Sequence, residues 1–138
     1  MENHLISVLI PFKNTADFLP ECLDSILAQN YQNWEVIAVD DHSTDSSRSI
    51  LDKYSSYDPR FRVYSNDGKG IISALRKAFS LSKGAFLTRM DSDDIMISNK
   101  LEIMVSSLEK YGEGHIAVGG VRYFSERGIS NGYERYEK

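Results

Sequence analysis

The 138-residue sequence predicts an α/β domain: a doubly wound, mainly parallel sheet with helices on both faces. Three observations predict it. Short apolar runs rich in branched residues recur along the chain, and each is followed by a stretch whose apolar residues return at helical spacing. Parallel neighbours need a crossover connection, and right-handed crossovers lay helices on both faces of a sheet. Hydrophobic residues at 41% and charged residues at 26% are ordinary globular values, which excludes a mostly disordered or collagen-like chain and fits a single core.

The first run, Leu5 to Ile10, is halted by Pro11 and reads as a buried strand. Leu19, Cys22, Leu23, Ile26 and Leu27 then recur at helical spacing behind Thr15, a candidate N-cap, which predicts a helix over 16–29. Cys22 lies inside that apolar stripe and reads as core packing. Glu35 to Val39 is the second strand. It ends at Asp40-Asp41, and Asp45 or Ser43 can cap a helix carrying Ile50, Leu51 and Tyr54. Arg62 to Tyr64 is a brief third strand; Gly68 and Gly70 mark a turn. Ile71, Ile72, Leu75, Ala78 and Phe79 give a third helix that Gly84 terminates. Ala85 to Thr88 is the fourth strand, running into Asp91-Ser92-Asp93-Asp94. Leu101, Met104, Val105 and Leu108 mark a fourth helix beginning near Ser98, and Ile116 to Val118 begins a fifth strand that extends toward Phe124. Residues 1–124 therefore read as the α/β domain, and 125–138 as a polar tail or the start of a further portion.

Charge and cysteine usage narrow the function classes. The net charge of −4 argues against a protein that holds nucleic acid by broad phosphate neutralisation. A single cysteine forms no intramolecular disulfide or cysteine-based zinc cluster and fits a reducing compartment. The longest nearly apolar run, Leu5 to Phe12, is too short to span a bilayer, so no transmembrane segment is expected.

In doubly wound sheets ligands bind beyond the carboxyl ends of the strands. Those ends carry Pro11-Phe12-Lys13-Asn14, Asp40-Asp41, Asn66 to Gly70, and Asp91-Ser92-Asp93-Asp94. Carboxylates gathered on one rim repel one another unless a divalent cation or hydrogen-bond donors offset them. A metal bridging carboxylate and phosphate would also let phosphates approach. Asp and Asn after strands serve equally as turn formers and helix caps, so no single residue here is diagnostic. A calcium loop starting at Asp91 fails on spacing: Ile95 stands at the fifth position and Met96 where the sharp turn needs glycine. Gly68-Lys69-Gly70 is no Walker loop, and His4, His42 and His115 show no ligand spacing.

Taken together, Ser7 to Asn14, Leu19 with Cys22 to Leu27, Glu35 to Asp45, and Gly70-Ile71 with Ala74-Leu75 through Lys83-Gly84 to Ile95 resemble the family 2 glycosyltransferases. Their nucleotide-binding half has the GT-A fold and carries a DxD signature, matched here by Asp91-Ser92-Asp93. The resemblance covers residues 5 to about 121. It implies a nucleoside-diphosphate sugar, with UDP favoured, lying across the strand ends. Asp41 would accept a hydrogen bond from uracil N3–H; Pro11 and Asn14 would line the nucleoside pocket, with Phe12 and Gly70 also among the substrate-binding residues; Asp91 and Ser92 would lie near ribose and diphosphate; Asp93 would ligate Mg²⁺ or Mn²⁺. Asp94 would act from behind the metal or cap the next helix. Lys13 stands where the family often has Tyr, Arg76 and Ala78 where relatives often carry Asn and Gly, and Ser98 where Pro is frequent.

The implied activity is inverting, metal-dependent sugar transfer to a saccharide or lipid-linked acceptor, in the cytoplasm or peripheral at the inner face of the membrane. The general base is expected outside this chain, in the family's second half, so the chain reads as the donor-binding half, incomplete for catalysis on its own. Two other readings use the same acidic rim. A stand-alone nucleotide-sugar-binding or regulatory module would lack catalysis, and a sugar-phosphate nucleotidyltransferase would need a glycine-rich basic loop after the first strand, which is absent from the sequence.

Overall fold

The computed structural model describes residues 3–117. Its elements alternate in chain order: β1 (Ile6–Phe12), α1 (Leu19–Leu27), β2 (Trp34–Asp40), α2 (Ser47–Tyr57), β3 (Phe61–Ser65), α3 (Ile71–Leu81), β4 (Phe86–Arg89) and α4 (Lys100–Tyr111). Among the described residues the sheet has four strands in the order β3-β2-β1-β4, all parallel. All seven residues of β1 and all seven of β2 are buried. Parallel strands covered on both faces read as unbroken apolar runs, which is why these two were visible in the sequence.

The strand order dictates where the helices lie. The chain steps from β1 to β2 to β3 in one direction, then returns past β1 to β4, so right-handed crossovers put α1 and α2 on one face and α3 on the other. On the α3 face, Leu9, Ile37 and Val39 pack with Ala74 and Ala78, flanked by Tyr64, Leu75 and Leu81. The alanines let α3 lie close over β1 and β2. The alternating residues Val8, Ile10, Val36 and Ala38 point to the opposite face and are fully buried there, as are Leu19, Cys22, Leu23 and Ile26 of α1 and Leu51 of α2.

A polar lock closes the amino-terminal end of the sheet. Buried Glu35 accepts the Ser7 hydroxyl at 2.6 Å, the Lys83 N–H at 2.7 Å and the Arg62 guanidinium at 2.9 Å. These donors hold its carboxyl below the usual range although burial pushes the other way. The chain divides into two compact units, Met1–Glu102 and Ile103–Lys138. The first holds the sheet. In the second, α4 runs on to Tyr111 and is followed by Gly112 and Gly114 at positive φ.

Several boundaries differ from expectation for identifiable reasons. Helix α1 starts at Leu19, and Thr15 does not cap it with its side chain: residues 16–18 form a turn in which the Thr15 carbonyl accepts the Phe18 and Leu19 N–H groups. Asp40 and Trp34 belong to β2 because each pairs with a strand neighbour. Asp45 does bond the first N–H of α2, at Ser47, whereas the Ser43 hydroxyl accepts from Asn14. Helix α3 ends at Leu81 with Ser82 extended, ahead of Gly84. Helix α4 starts at Lys100, two residues past the expected Ser98. Ile116 and Ala117 carry no strand, and the remainder of the expected fifth strand lies outside the described residues, as does the 125–138 tail.

Gly84 has a different task, since a Cβ there would lie 2.6 Å from Ser7 Oγ and 2.7 Å from both Leu5 O and Ser7 N. Its N–H bonds Ser7 Oγ at 2.8 Å, so the chain crosses β1 at backbone distance. Gly84→Ala is expected to cost about 1–3 kcal/mol by overpacking against backbone, seen as a Tm lower by roughly 5–15 °C in calorimetry.

Candidate functional site

The carboxyl ends of β1, β2 and β4 meet where the strand order reverses, which is where a doubly wound sheet opens a crevice. Pro11 and Phe12 close β1. Pro11 pairs with Val39 above the point where the β1–β4 register stops at Leu9↔Arg89, so its missing N–H takes nothing from β4. Phe12 is 2% exposed: its ring belongs to the core, and its carbonyl accepts the Asp41 N–H at 2.8 Å. Asn14 adopts a positive φ of 52°, a conformation that asparagine tolerates better than most residues. Its carboxamide oxygen takes the N–H of Thr44 at 2.7 Å and of Asp45 at 3.3 Å. The loop after β1 therefore clamps the loop after β2.

Asp41 is the buried acid of the rim, 8% exposed. Its Oδ1 accepts from Asn66 Nδ2 and from the Gly70 N–H, each at 3.0 Å. The Asn66 donor lowers the carboxyl most, the Gly70 N–H and the Lys13 and His42 charges lower it further, and together they outweigh burial. Both of these donors converge on Oδ1. Gly70 holds φ at 95°, a glycine conformation, and that is what turns its N–H onto Asp41.

Asn66 was not singled out in the sequence as a functional residue. It is 4% exposed, donates to Asp41 and to Gly70 O, and accepts from Gly68 N at 3.2 Å and Ser73 Oγ at 2.9 Å. The signal was an asparagine at a strand end followed by two glycines, legible as a turn but silent about its partner across the sheet.

The acidic segment follows β4. Asp91 is half exposed and pairs with Arg89 at 3.0 Å; its carbonyl faces the Cys22 thiol at 3.7 Å. Ser92 is buried and accepts the Thr15 hydroxyl at 2.8 Å, so the Thr15 side chain ties the loop after β1 to the loop after β4. Asp93 and Asp94 are exposed. Ligand oxygens of Asp91, Asp93 and Asp94 all lie within 4.8 Å of one another. Partial burial, then the Asp91 and Asp93 charges, raise the Asp94 carboxyl, with Lys100 opposing. Burial and the same three acids push the Cys22 thiol up to about 12, which removes it as a nucleophile. An all-carboxylate set whose mutual repulsion Arg89 and Lys100 offset only in part fits a hard divalent cation such as Mg²⁺ or Mn²⁺.

The rim thus gathers Asn14, Asp41, Gly70, Asp91, Ser92 and Asp93 from four loops, with Pro11 and Phe12 buried beneath. The family model "Glycosyl transferase family 2" matches residues 7–137. The glycosyltransferase GlyG of Streptococcus pneumoniae serotype 4 is 38% identical over 125 residues, covering 90% of this chain and 41% of GlyG. The Escherichia coli UDP-Glc:alpha-D-GlcNAc-diphosphoundecaprenol beta-1,3-glucosyltransferase WfgD is 35% identical over 111 residues, 80% of this chain and 43% of WfgD. Among solved structures, the mannosyltransferase PcManGT from Pyrobaculum calidifontis, in complex with GDP-Man and Mn²⁺, superposes with a TM-score of 0.70 at 25% identity, covering 78% of this chain and 33% of that one. The chain therefore spans less than half the length of these relatives.

Because Asn66 is the largest influence holding Asp41 ionised, Asn66→Ala is expected to return the Asp41 carboxyl toward the ordinary value of about 4 and to cost about 1–2 kcal/mol. A carboxyl with a depressed folded value contributes stability above its unfolded pKa and loses it as pH falls through the folded value. The variant's acid unfolding midpoint should consequently move to higher pH. Carboxyl-carbon NMR titration together with acid denaturation checks both effects.

Proposed function

The chain belongs to glycosyl transferase family 2 and carries the GT-A fold, and from that premise we propose that it is the donor-binding portion of a glycosyltransferase using a nucleoside-diphosphate sugar. One observation carries the proposal. A single rim, at the reversal of strand order, holds a buried ionised carboxylate and, beyond Thr15–Ser92, a three-carboxylate cluster.

In this reading Asp41 accepts the N3–H of uracil, a charge-assisted bond worth roughly 1.5–3 kcal/mol. Asn66 and Gly70 keep it ionised and oriented. Pro11 and Asn14 border the base and Phe12 supports them from the core. Asp91 and Ser92 lie beside ribose and diphosphate, Asp93 holds Mg²⁺ or Mn²⁺, and Asp94 supports the metal from behind. A bound cation would supply Lewis-acid stabilisation of the negative charge on the departing diphosphate. UDP is preferred as carrier because WfgD is named for UDP-Glc; the cation is supported by the Mn²⁺ of PcManGT.

Transfer is read as inverting: a single in-line displacement at the anomeric carbon by an acceptor hydroxyl, whose base is expected outside this chain, in an acceptor-binding portion. The acceptor is a saccharide or a lipid-linked saccharide, the latter in line with the diphosphoundecaprenol in the name of WfgD. No described helix is long and apolar enough to cross a membrane. A cytoplasmic enzyme attached peripherally at the inner membrane face is the arrangement proposed.

Thermal melts test the donor site. Saturation at 100 times Kd adds about 2.7 kcal/mol, so UDP with Mn²⁺ should raise Tm by on the order of 10 °C. Asp41→Ala should abolish the nucleotide-dependent shift and Asp93→Asn its metal-dependent part. Absence of any shift with UDP, GDP or dTDP, with either cation, would refute the proposal. A second readout concerns Asp94. Relief of like-charge repulsion in Asp94→Asn should raise the metal-free Tm by up to about 2 °C at neutral pH while weakening Mn²⁺ binding; a lower Tm with unchanged binding would contradict the assignment.

A further inference from the structure

The segment Asp91–Asn99 crosses the rim as irregular backbone, and irregular backbone with buried stretches keeps its shape only where side chains satisfy its N–H and C=O groups. Helix α1 and the residues after it supply those partners. The Cys22 thiol faces Asp91 O, the Ser25 hydroxyl accepts the Met96 N–H at 3.0 Å, and the Asn30 N–H donates to Ser98 O at 2.9 Å. Gln29 does most. It is 1% exposed; its Nε2 donates to Ile97 O at 2.6 Å, Met96 O at 3.4 Å and Ser25 O at 3.2 Å, while its Oε1 accepts the Leu101 N–H at 3.1 Å. That last bond satisfies a first-turn donor of α4 from outside the helix.

We propose that Gln29 is a positioning residue for the acidic segment: one carboxamide, anchored below α1, fixes both the loop carbonyls at 96–97 and the start of α4, and so sets where Asp91, Asp93 and Asp94 present their oxygens. The inference rests on the donor-site reading above for its consequence, though not for its geometry. Only a side chain with both donors and an acceptor at this reach completes the set. Glutamate keeps the acceptor and loses the donors, methionine loses both, and asparagine is one methylene short. Groups that orient metal ligands without touching the metal commonly change affinity by about 10–100-fold when removed.

The test compares Gln29→Met and the milder Ser25→Ala, which removes the Met96 partner together with the hydroxyl's own bond to Cys22 O, with Ile26→Val, a core truncation on the same helix. Three quantities are read: Mn²⁺ affinity by electron paramagnetic resonance, UDP affinity without metal, and amide hydrogen exchange. For Gln29→Met we expect Mn²⁺ affinity to fall about tenfold, metal-free UDP affinity to fall clearly less than that because the Asp41, Asn66 and Gly70 contacts are untouched while Asp91 shifts, and exchange to accelerate at Asp94, Met96 and Leu101 but not in β1 or β2. Ser25→Ala should move the same quantities less, and Ile26→Val should lower Tm without moving Mn²⁺ affinity. Wild-type Mn²⁺ affinity in both Gln29→Met and Ser25→Ala, or an equal fall in Ile26→Val, overturns the proposal. If Gln29→Met does not fold, Ser25→Ala decides by the same readouts. If the wild-type chain binds no Mn²⁺, the donor-site reading fails instead, and unchanged exchange at Asp94 and Met96 is then the result that overturns the positioning role.

Discussion

Everything at the rim depends on β1 being buried along its whole length in the middle of a parallel sheet. A strand covered on both faces has its backbone polar groups met chiefly by the strands beside it, here β2 along its whole length and β4 from Ile6 to Leu9. That requirement fixes the register of β2 and β4 against it, and parallel direction delivers all three carboxyl ends to the same edge. The opposite edge is closed by Ser7, Glu35, Arg62 and the Lys83–Gly84 backbone, where both Glu35 carboxylate oxygens and the Ser7 hydroxyl accept hydrogen bonds. One end of the sheet is thus locked and the other is left to chemistry.

The rim divides its charge between two physical regimes. At Asp41 the Asn66 and Gly70 donors, helped by the Lys13 and His42 charges, keep the carboxylate ionised despite burial. At Asp91, Asp93 and Asp94 the Arg89 and Lys100 charges offset three acids in part, and partial burial, followed by the Asp91 and Asp93 charges, raises the Asp94 carboxyl. The first arrangement suits recognition of a neutral N–H. The second is costly until a cation arrives, which makes cation binding and the approach of a diphosphate mutually favourable. Thr15 joins the regimes mechanically, its N–H on Ser47 and its hydroxyl on Ser92.

Much of this was legible from residue order. Buried parallel strands announce themselves as branched apolar runs, and the acids at their ends were visible as rim residues once the strands were placed. What stayed hidden were partners distant in sequence. Thr15 looked like a helix cap because local spacing cannot reveal that its hydroxyl is taken by Ser92, 77 residues on. Gly84 looked like a helix stop because its close approach to Ser7 is a tertiary fact. Asn66 and Gln29 are amides that also bond residues distant in sequence, Asp41 for Asn66 and Met96, Ile97 and Leu101 for Gln29; in sequence each resembles an ordinary turn or helix-end polar residue. Asp40 hid the true end of β2 because a polar residue at a strand terminus carries no apolar signal.

The central claim is that one rim reads a nucleotide at the end of β2 and holds a divalent cation at the end of β4. Amide NMR of the chain with UDP and then Mn²⁺ tests it directly. The account predicts that UDP shifts the resonances of Asp41, Asn66 and Gly70, and that Mn²⁺ then broadens Asp91 to Asp94 most strongly while Lys83 and Gly84, at the locked end, keep their intensity. Shifts or broadening centred away from these residues, or none, would contradict it.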